Sequence, residues 1–299
     1  MDELVVVALA GFLASFVDGS LGMGFGPTSS SILLSSGLSP VSVSATVNIA
    51  KVATGAVGGA AHWRFGNVDR RIVARLAVPG VFGALVGTLI LTTVDGDQLR
   101  PILAALLLLI GVRILLRFRR PVTSARPIDG RHAHDLRGVT AAGAVGGVTN
   151  GMIGAWGPVV TPFLLHRGVV PRLVVGSVNT AEIAVAVVAA GSLLTSDHHG
   201  LEASTVLAML GGGVLAAPVA ALTVRRVPAR LLGVLVAGLL LLTNARELAS
   251  WAELGSVRWA IYGAIAVIVI AVAWPSRTPM VASRDATTGP TVATESRAV

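Results

Sequence analysis

What most constrains this chain is a succession of apolar runs separated by short polar or basic breaks. Such runs fall near 4–18, 28–38, 41–62, 71–93, 98–116, 138–150, 159–168, 173–195, 203–222, 230–249 and 257–274. A helix needs about 20 residues to cross a hydrocarbon core of about 30 Å. Most of these runs reach or approach that length. Only 13% of the 299 residues are charged, about half the share of a soluble domain, and the mean hydropathy is +0.80. The composition excludes a soluble enzyme, a disordered chain and a coiled coil, and predicts an all-α polytopic membrane protein.

The runs at 28–38 and 159–168 are too short to span, and each follows a Gly/Pro break. They read as half-helices. The N-terminus, Met1-Asp2-Glu3, lacks the basic n-region of a cleavable signal, so the first run is expected to stay as a membrane segment. Cysteine is absent, which removes disulfides, thiolate nucleophiles and cysteine metal sites.

The formal net charge of +8 becomes informative once it is sorted by position. Basic residues cluster at Arg64, Arg70, Arg71 and Arg75, then from Arg113 to Arg137, then at Arg225, Arg226 and Arg230. The positive-inside rule places these loops in the cytoplasm. Loops with Asp95 and Asp97, or Asp197 and Glu202, fall outside, with the N-terminus outside and the C-terminus cytoplasmic. The partners expected are therefore a lipid bilayer and a small solute, not nucleic acid, and a homo-oligomer is compatible with the sequence. Trp259 and Trp274 bracket the last run, as an interfacial aromatic belt or as ordinary packing.

Self-similarity appears at an offset of 131 residues. Gly26-Pro27 matches Gly157-Pro158, Pro40 matches Pro171, and the run from Ala45 to Lys51 matches Gly176 to Glu182, pairing Asn48 with Asn179. Across a one-residue indel, Asp18-Gly19 matches Asn150-Gly151. The loop after the first Asn-bearing helix is basic and the loop after the second is acidic, so the copies are expected in opposite orientations. Inverted repeats with matching broken segments point to a transporter with a midplane site. The expected organisation is membrane repeat 1 over 1–116, a cytoplasmic linker over 117–136 and repeat 2 over 137–250. An extra helix at 257–274 and a disordered tail at 275–299 follow. Each repeat comprises a broken half-helix hairpin and three spanning helices.

Lys51 is the only lysine, the other 22 basic residues being arginine. It falls about 16 Å along a helix beginning near Pro40, near mid-bilayer, where an ionisable group is costly and marks a functional site. Its counterpart is Glu182. The two either pair with each other or bind a ligand directly, and an anion competing for Lys51 would leave the carboxylate to take a proton. Asn48 and Asn179 lie three residues before these charges, on the same helix faces.

In the first break, Gly24 and Gly26 allow close backbone approach, and Thr28, Ser29 and Ser30 follow Pro27 as the expected N-terminus of an anion-binding half-helix. The second break contributes Trp156 and Gly157. Asp18 either caps a helix, neutralises Lys51 or, with Glu182, carries a coupling ion. The glycine cluster lacks GxGxxG spacing. The groups Asp197, His198, His199, Glu202 and His132, His134, Asp135 read as solvated loops, so no metal or cofactor is expected. Gly80, Gly83, Gly87 and Ala216, Ala220 are spaced for close helix contact. Neither a Ser/His/Asp arrangement nor HExxH occurs, so enzymatic activity is not expected.

The Gly-rich break after the first helix of each half, the Asn-bearing helix that follows and the stretch His62-Trp63-Arg64-Phe65-Gly66-Asn67-Val68-Asp69 resemble the sulfite exporter TauE/SafE family over residues 8–245. Two departures stand out: the family's polyglycine run is Gly22-Met23-Gly24-Phe25-Gly26-Pro27 here, and Trp156 replaces a glycine. The resemblance implies a multi-pass permease of the bacterial plasma membrane for sulfur oxyanions or organosulfonates such as sulfite, working in the export direction. The residues alone also admit a passive anion channel or a structural membrane subunit without transport.

Overall fold

The computed structural model describes residues 3–21, 23–119, 138–196, 202–223 and 228–274. Eleven helices fill these residues: α1 (Glu3–Leu21), α2 (Phe25–Ser35), α3 (Pro40–Arg64), α4 (Arg70–Thr93), α5 (Gly96–Arg119), α6 (Val139–Ile153), α7 (Gly157–His166), α8 (Pro171–Leu194), α9 (Ala203–Thr223), α10 (Ala229–Trp251) and α11 (Val257–Ala273). Each apolar run is a helix, including the two expected half-helices, α2 and α7. Most of the 117–136 segment, all of 275–299, the His132–Asp135 and Asp197–His199 clusters, Arg225 and Arg226 lie outside the described residues. Arg117 to Arg119 belong to α5, which continues past the expected start of the linker.

Among the described residues, four helices, α4, α5, α8 and α10, are long and apolar enough to cross a membrane. Although longer than any of these, α3 is not among them. Its first half, Pro40 to Lys51, carries serines, Thr46, Asn48 and Lys51, and is enclosed almost throughout by protein. Polar residues are tolerated there because their hydrogen bonds are met by neighbouring helices rather than by lipid.

Helix boundaries follow local chemistry. Pro40 occupies the first turn of α3, and Ser39 caps it by accepting from the Ser42 backbone N–H at 3.1 Å. Pro171 likewise occupies the first turn of α8, where Val170 stands at the cap position and gives no side-chain cap. The His62–Asp69 stretch is the joint between α3 and α4. Gly66 takes φ +67°, and Asp69 caps α4 by accepting from Arg71 N at 2.8 Å and Ile72 N at 3.3 Å. The joint docks on α8, because Ser177 Oγ accepts from Asp69 N at 2.9 Å. A Cβ on Gly176 would stand 2.0 Å from the Asn67 carbonyl oxygen.

Packing is dominated by α4 against α6, α1 against α9, α5 against α10 and α3 against α8. Small residues allow the first two pairs their close approach. Gly83 and Gly87 of α4 face backbone carbonyls of Ala144 and Val148, while Gly212 of α9 faces that of Ala8. In the third member of the series, Gly80 makes room for the Trp156 ring. Ala216 is buried, and the side chain of Ala220 lies outside the description. By contrast α11 buries none of its residues, and Trp259 and Trp274 near its ends are both largely exposed.

Candidate functional site

The two helix breaks cross beside Lys51. In the second, α6 ends at Asn150 to Ile153 and Gly154 turns the chain with φ +66°, a conformation glycine adopts without steric cost. In the first, Gly26 packs so closely on this turn that a Cβ there would lie 1.8 Å from the Gly154 carbonyl oxygen and 3.2 Å from Lys51 Nζ. Both breaks are therefore held at van der Waals distance by glycine.

Lys51 is buried and donates to three acceptors: Asn150 Oδ1 at 3.1 Å, the Gly154 carbonyl and Glu182 Oε1. An ammonium has three protons, so all are engaged. Asn150 in turn donates to Asn48 Oδ1 at 2.7 Å, and Asn48 Nδ2 donates to the Ser44 carbonyl at 2.9 Å and the Asn150 carbonyl at 3.2 Å. Asn48 thus holds Asn150, which orients Lys51. Glu182 is partly exposed, at 20%, so it forms the open side of this buried network.

A cavity of about 140 Å³ lies on that side. Lys51, Glu182, Asp18, Asn179, Gly26 and Gly157 all line it. Its α3 lining consists of Lys51, Thr54, Gly55 and Gly58, all at or beyond Lys51 toward the arginine-rich end of that helix. At its rim stands Met23, whose Sδ accepts from Arg117 Nη1 at 3.0 Å. One ammonium and two carboxylates therefore face the same small space.

Other residues singled out from sequence stand apart from this cavity. Since α2 begins at Phe25 rather than at Thr28, the hydroxyls fall inside the helix and not at its mouth. Ser29 Oγ donates back to the Phe25 and Gly26 carbonyls at 2.6 and 3.1 Å, and Ser30 Oγ donates to the Ile153 carbonyl at 2.7 Å. Thr28 is fully buried. Gly24 caps α2, and its N–H donates to Asp18 Oδ1 at 3.0 Å, with Phe25 N at 3.4 Å. Asp18 is thus a cap that also faces the cavity. Trp156 is fully buried with Nε1 donating to the Val178 carbonyl at 3.2 Å, and is a packing residue between α6 and α8.

Sequence reasoning did not place Asn150 or Gly154 at the centre of the network. The signal was present, because Asn150 aligns with Asp18 in the internal match.

Against known proteins, the sequence profile described as sulfite exporter TauE/SafE matches residues 7–247. The chain belongs to that family. It is a multi-pass membrane protein of a transporter family, not an enzyme family. It is also 41% identical over 278 residues to a Bacillus subtilis (strain 168) protein named "Probable membrane transporter protein YtnM", an alignment covering 90% of each chain. No solved structure matches. The family profile ends before α11, while the His62–Asp69 joint, both breaks and Lys51 lie inside it.

Proposed function

We propose that the protein is a secondary transporter moving a small anion, a sulfur oxyanion or organosulfonate such as sulfite, outward by alternating access. The observation that carries this reading is Lys51 at the crossing of two broken helices, beside a cavity large enough for such a solute. An oxyanion that sheds its water to enter a dry site needs a cation and N–H donors in its place. Lys51, Asn179 and the backbone around Gly26 and Gly157 supply them.

Because all three Lys51 protons are engaged, a bound anion displaces an acceptor, and Glu182, the partly exposed and charged one, is the one it replaces. The displaced carboxylate then shares the cavity with Asp18 and an incoming negative charge, an arrangement that like-charge repulsion disfavours. Proton uptake by Glu182 relieves it. Substrate and proton occupancy are thereby linked, with Glu182 and Asp18 as the coupling groups.

Two inverted repeats support the alternating part of the mechanism. Lys51 and Glu182, which pair directly, are counterparts at the offset of 131 residues. Counterpart helices α3 and α8 run antiparallel, since Lys51 meets Glu182 whereas Asn67, farther along, meets Gly176, earlier in α8. The packing of α4 on α6 is repeated by their counterparts α9 and α1. With the arginine-rich end of α3 assigned to the cytoplasm by the positive-inside rule, the cavity's position toward that end supports reading this conformation as inward-facing.

Proteoliposomes tested with labelled sulfite decide the matter. Wild-type protein should accumulate sulfite under an imposed pH step, Lys51→Ala should abolish the flux, and Glu182→Gln should separate flux from the pH step. Undiminished sulfite movement in Lys51→Ala sinks the site assignment. Flux that never exceeds equilibration indicates a channel.

A further inference from the structure

Another concavity, which Lys51 does not line, lies between the C-terminal end of α10 and α11. It measures about 510 Å³ and is lined by Leu242, Arg246 and Ser250 of α10 and Arg258, Trp259 and Tyr262 of α11. The three α10 residues recur every four positions and so form one stripe. Arg258 and Tyr262 form the same spacing on α11.

The stripe is graded with depth. Ser250 and Arg258 stand next to the turn between the helices, Arg246 and Tyr262 about one turn deeper, and Leu242 about 12 Å below Ser250. Polar atoms therefore give way to hydrocarbon along the helix axis. Trp251 and Trp259, both about two-thirds exposed at 66% and 68%, mark this end as the membrane–water interface.

Charge identifies the occupant. Among the described residues neither Arg246 nor Arg258 forms a salt bridge, and the guanidinium of Arg258 sits 5.7 Å from the centre of the Trp259 ring, which meets Tyr262 edge-on with 5.8 Å between ring centres. Glu247 is paired with Arg100 at 3.4 Å, and Glu253 in the turn does not line the groove. Two guanidiniums with a hydroxyl and a phenol suit a phosphate diester. An apolar floor beneath them suits acyl chains and has no use for a free ion.

We propose that the α10–α11 groove binds the phosphate headgroup of an anionic phospholipid, with its acyl chains running down past Leu242. The lipid fixes α11, which otherwise buries no residue, to the body of the transporter. This site is independent of the transport reading.

Native mass spectrometry of the full chain, presented with dioleoylphosphatidylglycerol or dioleoylphosphatidylcholine, tests the assignment. Wild-type protein should retain the anionic lipid preferentially. Arg246→Gln and Arg258→Gln should each lower retention roughly fivefold, the ratio for about 1 kcal/mol per basic residue at an anionic surface. Arg258→Lys should keep most of it, which guards against loss of folding as the cause. Equal retention of both lipids, or an unchanged preference in the double Gln variant, overturns the proposal. So does displacement of the lipid by millimolar inorganic phosphate, or a second copy of the chain crosslinked through this groove.

Discussion

Lys51 and Glu182 are joined across the interface of α3 and α8, with Lys51 almost wholly buried and the carboxylate reaching the cavity. Neither charge is dispensable by itself. Breaking a buried pair by removing one partner leaves an uncompensated charge and costs about 3–5 kcal/mol, whereas a hydrophobic pair of similar volume is often neutral.

Lys51→Ala and Glu182→Leu should therefore each lower thermal stability in detergent, while Lys51→Met combined with Glu182→Leu recovers most of it. Flux should not recover in the double variant. Stability and transport measured on the same four proteins separate the structural work of the pair from its work on substrate. Recovery of both together would reduce the pair to a structural element.

Gly26 carries a separate expectation. With 1.8 Å between an added Cβ and the Gly154 carbonyl oxygen, and 3.2 Å to Lys51 Nζ, Gly26→Ala must push the two breaks apart. Overpacking of this kind costs about 1–3 kcal/mol, and here the movement falls on Lys51 and on one of its three acceptors. Transport should drop by at least tenfold while membrane insertion, followed by expression level and gel-filtration profile, stays near wild type. Gly55→Ala, whose nearest contact is the more yielding Ile183 side chain at 3.2 Å, should be much milder.

How far the sequence alone reaches differs between these parts. Helices and half-helices are readable because apolar length and Gly/Pro breaks are local properties, and Lys51 and Glu182 stand out because charge is scarce in such segments. The start of α2 is not readable from Pro27, since the helix is set by Asp18 capping Gly24 and Phe25 from an earlier turn. That shift turns the hydroxyls of Ser29 and Ser30 inward to carbonyl acceptors. Asn150 is hidden for a related reason: its role depends on a contact with Asn48, 102 residues away, which no local pattern encodes.

At the α3–α4 joint, Asp69 accepts from two backbone N–H groups that have no other helical partner. Asp69→Ala should cost about 1 kcal/mol, within the usual 0.5–2 for a cap. Because Asp69 N also donates to Ser177 Oγ, Ser177→Ala should add a smaller loss through the same docking contact. Thermal melting of the two single variants and the double variant, in one detergent, should show less than additive losses, since the sites share a contact.

The native chain has no cysteine, so single cysteines report position without background. Arg70→Cys, at the start of α4, should be shielded from an impermeant thiol reagent added outside intact cells, whereas His199→Cys, after α8, should react. Opposite exposure of these two sites is what inverted repeats require, because both follow counterpart helices. Thr54→Cys adds the conformational test. It lines the cavity on the side of Lys51 that runs toward the Arg64 end of α3, so in inside-out vesicles it should label readily, and added sulfite should slow the labelling. Equal accessibility of positions 70 and 199 would contradict the inversion. Labelling of Thr54→Cys only from outside would leave the inversion standing and reverse the assigned direction of opening.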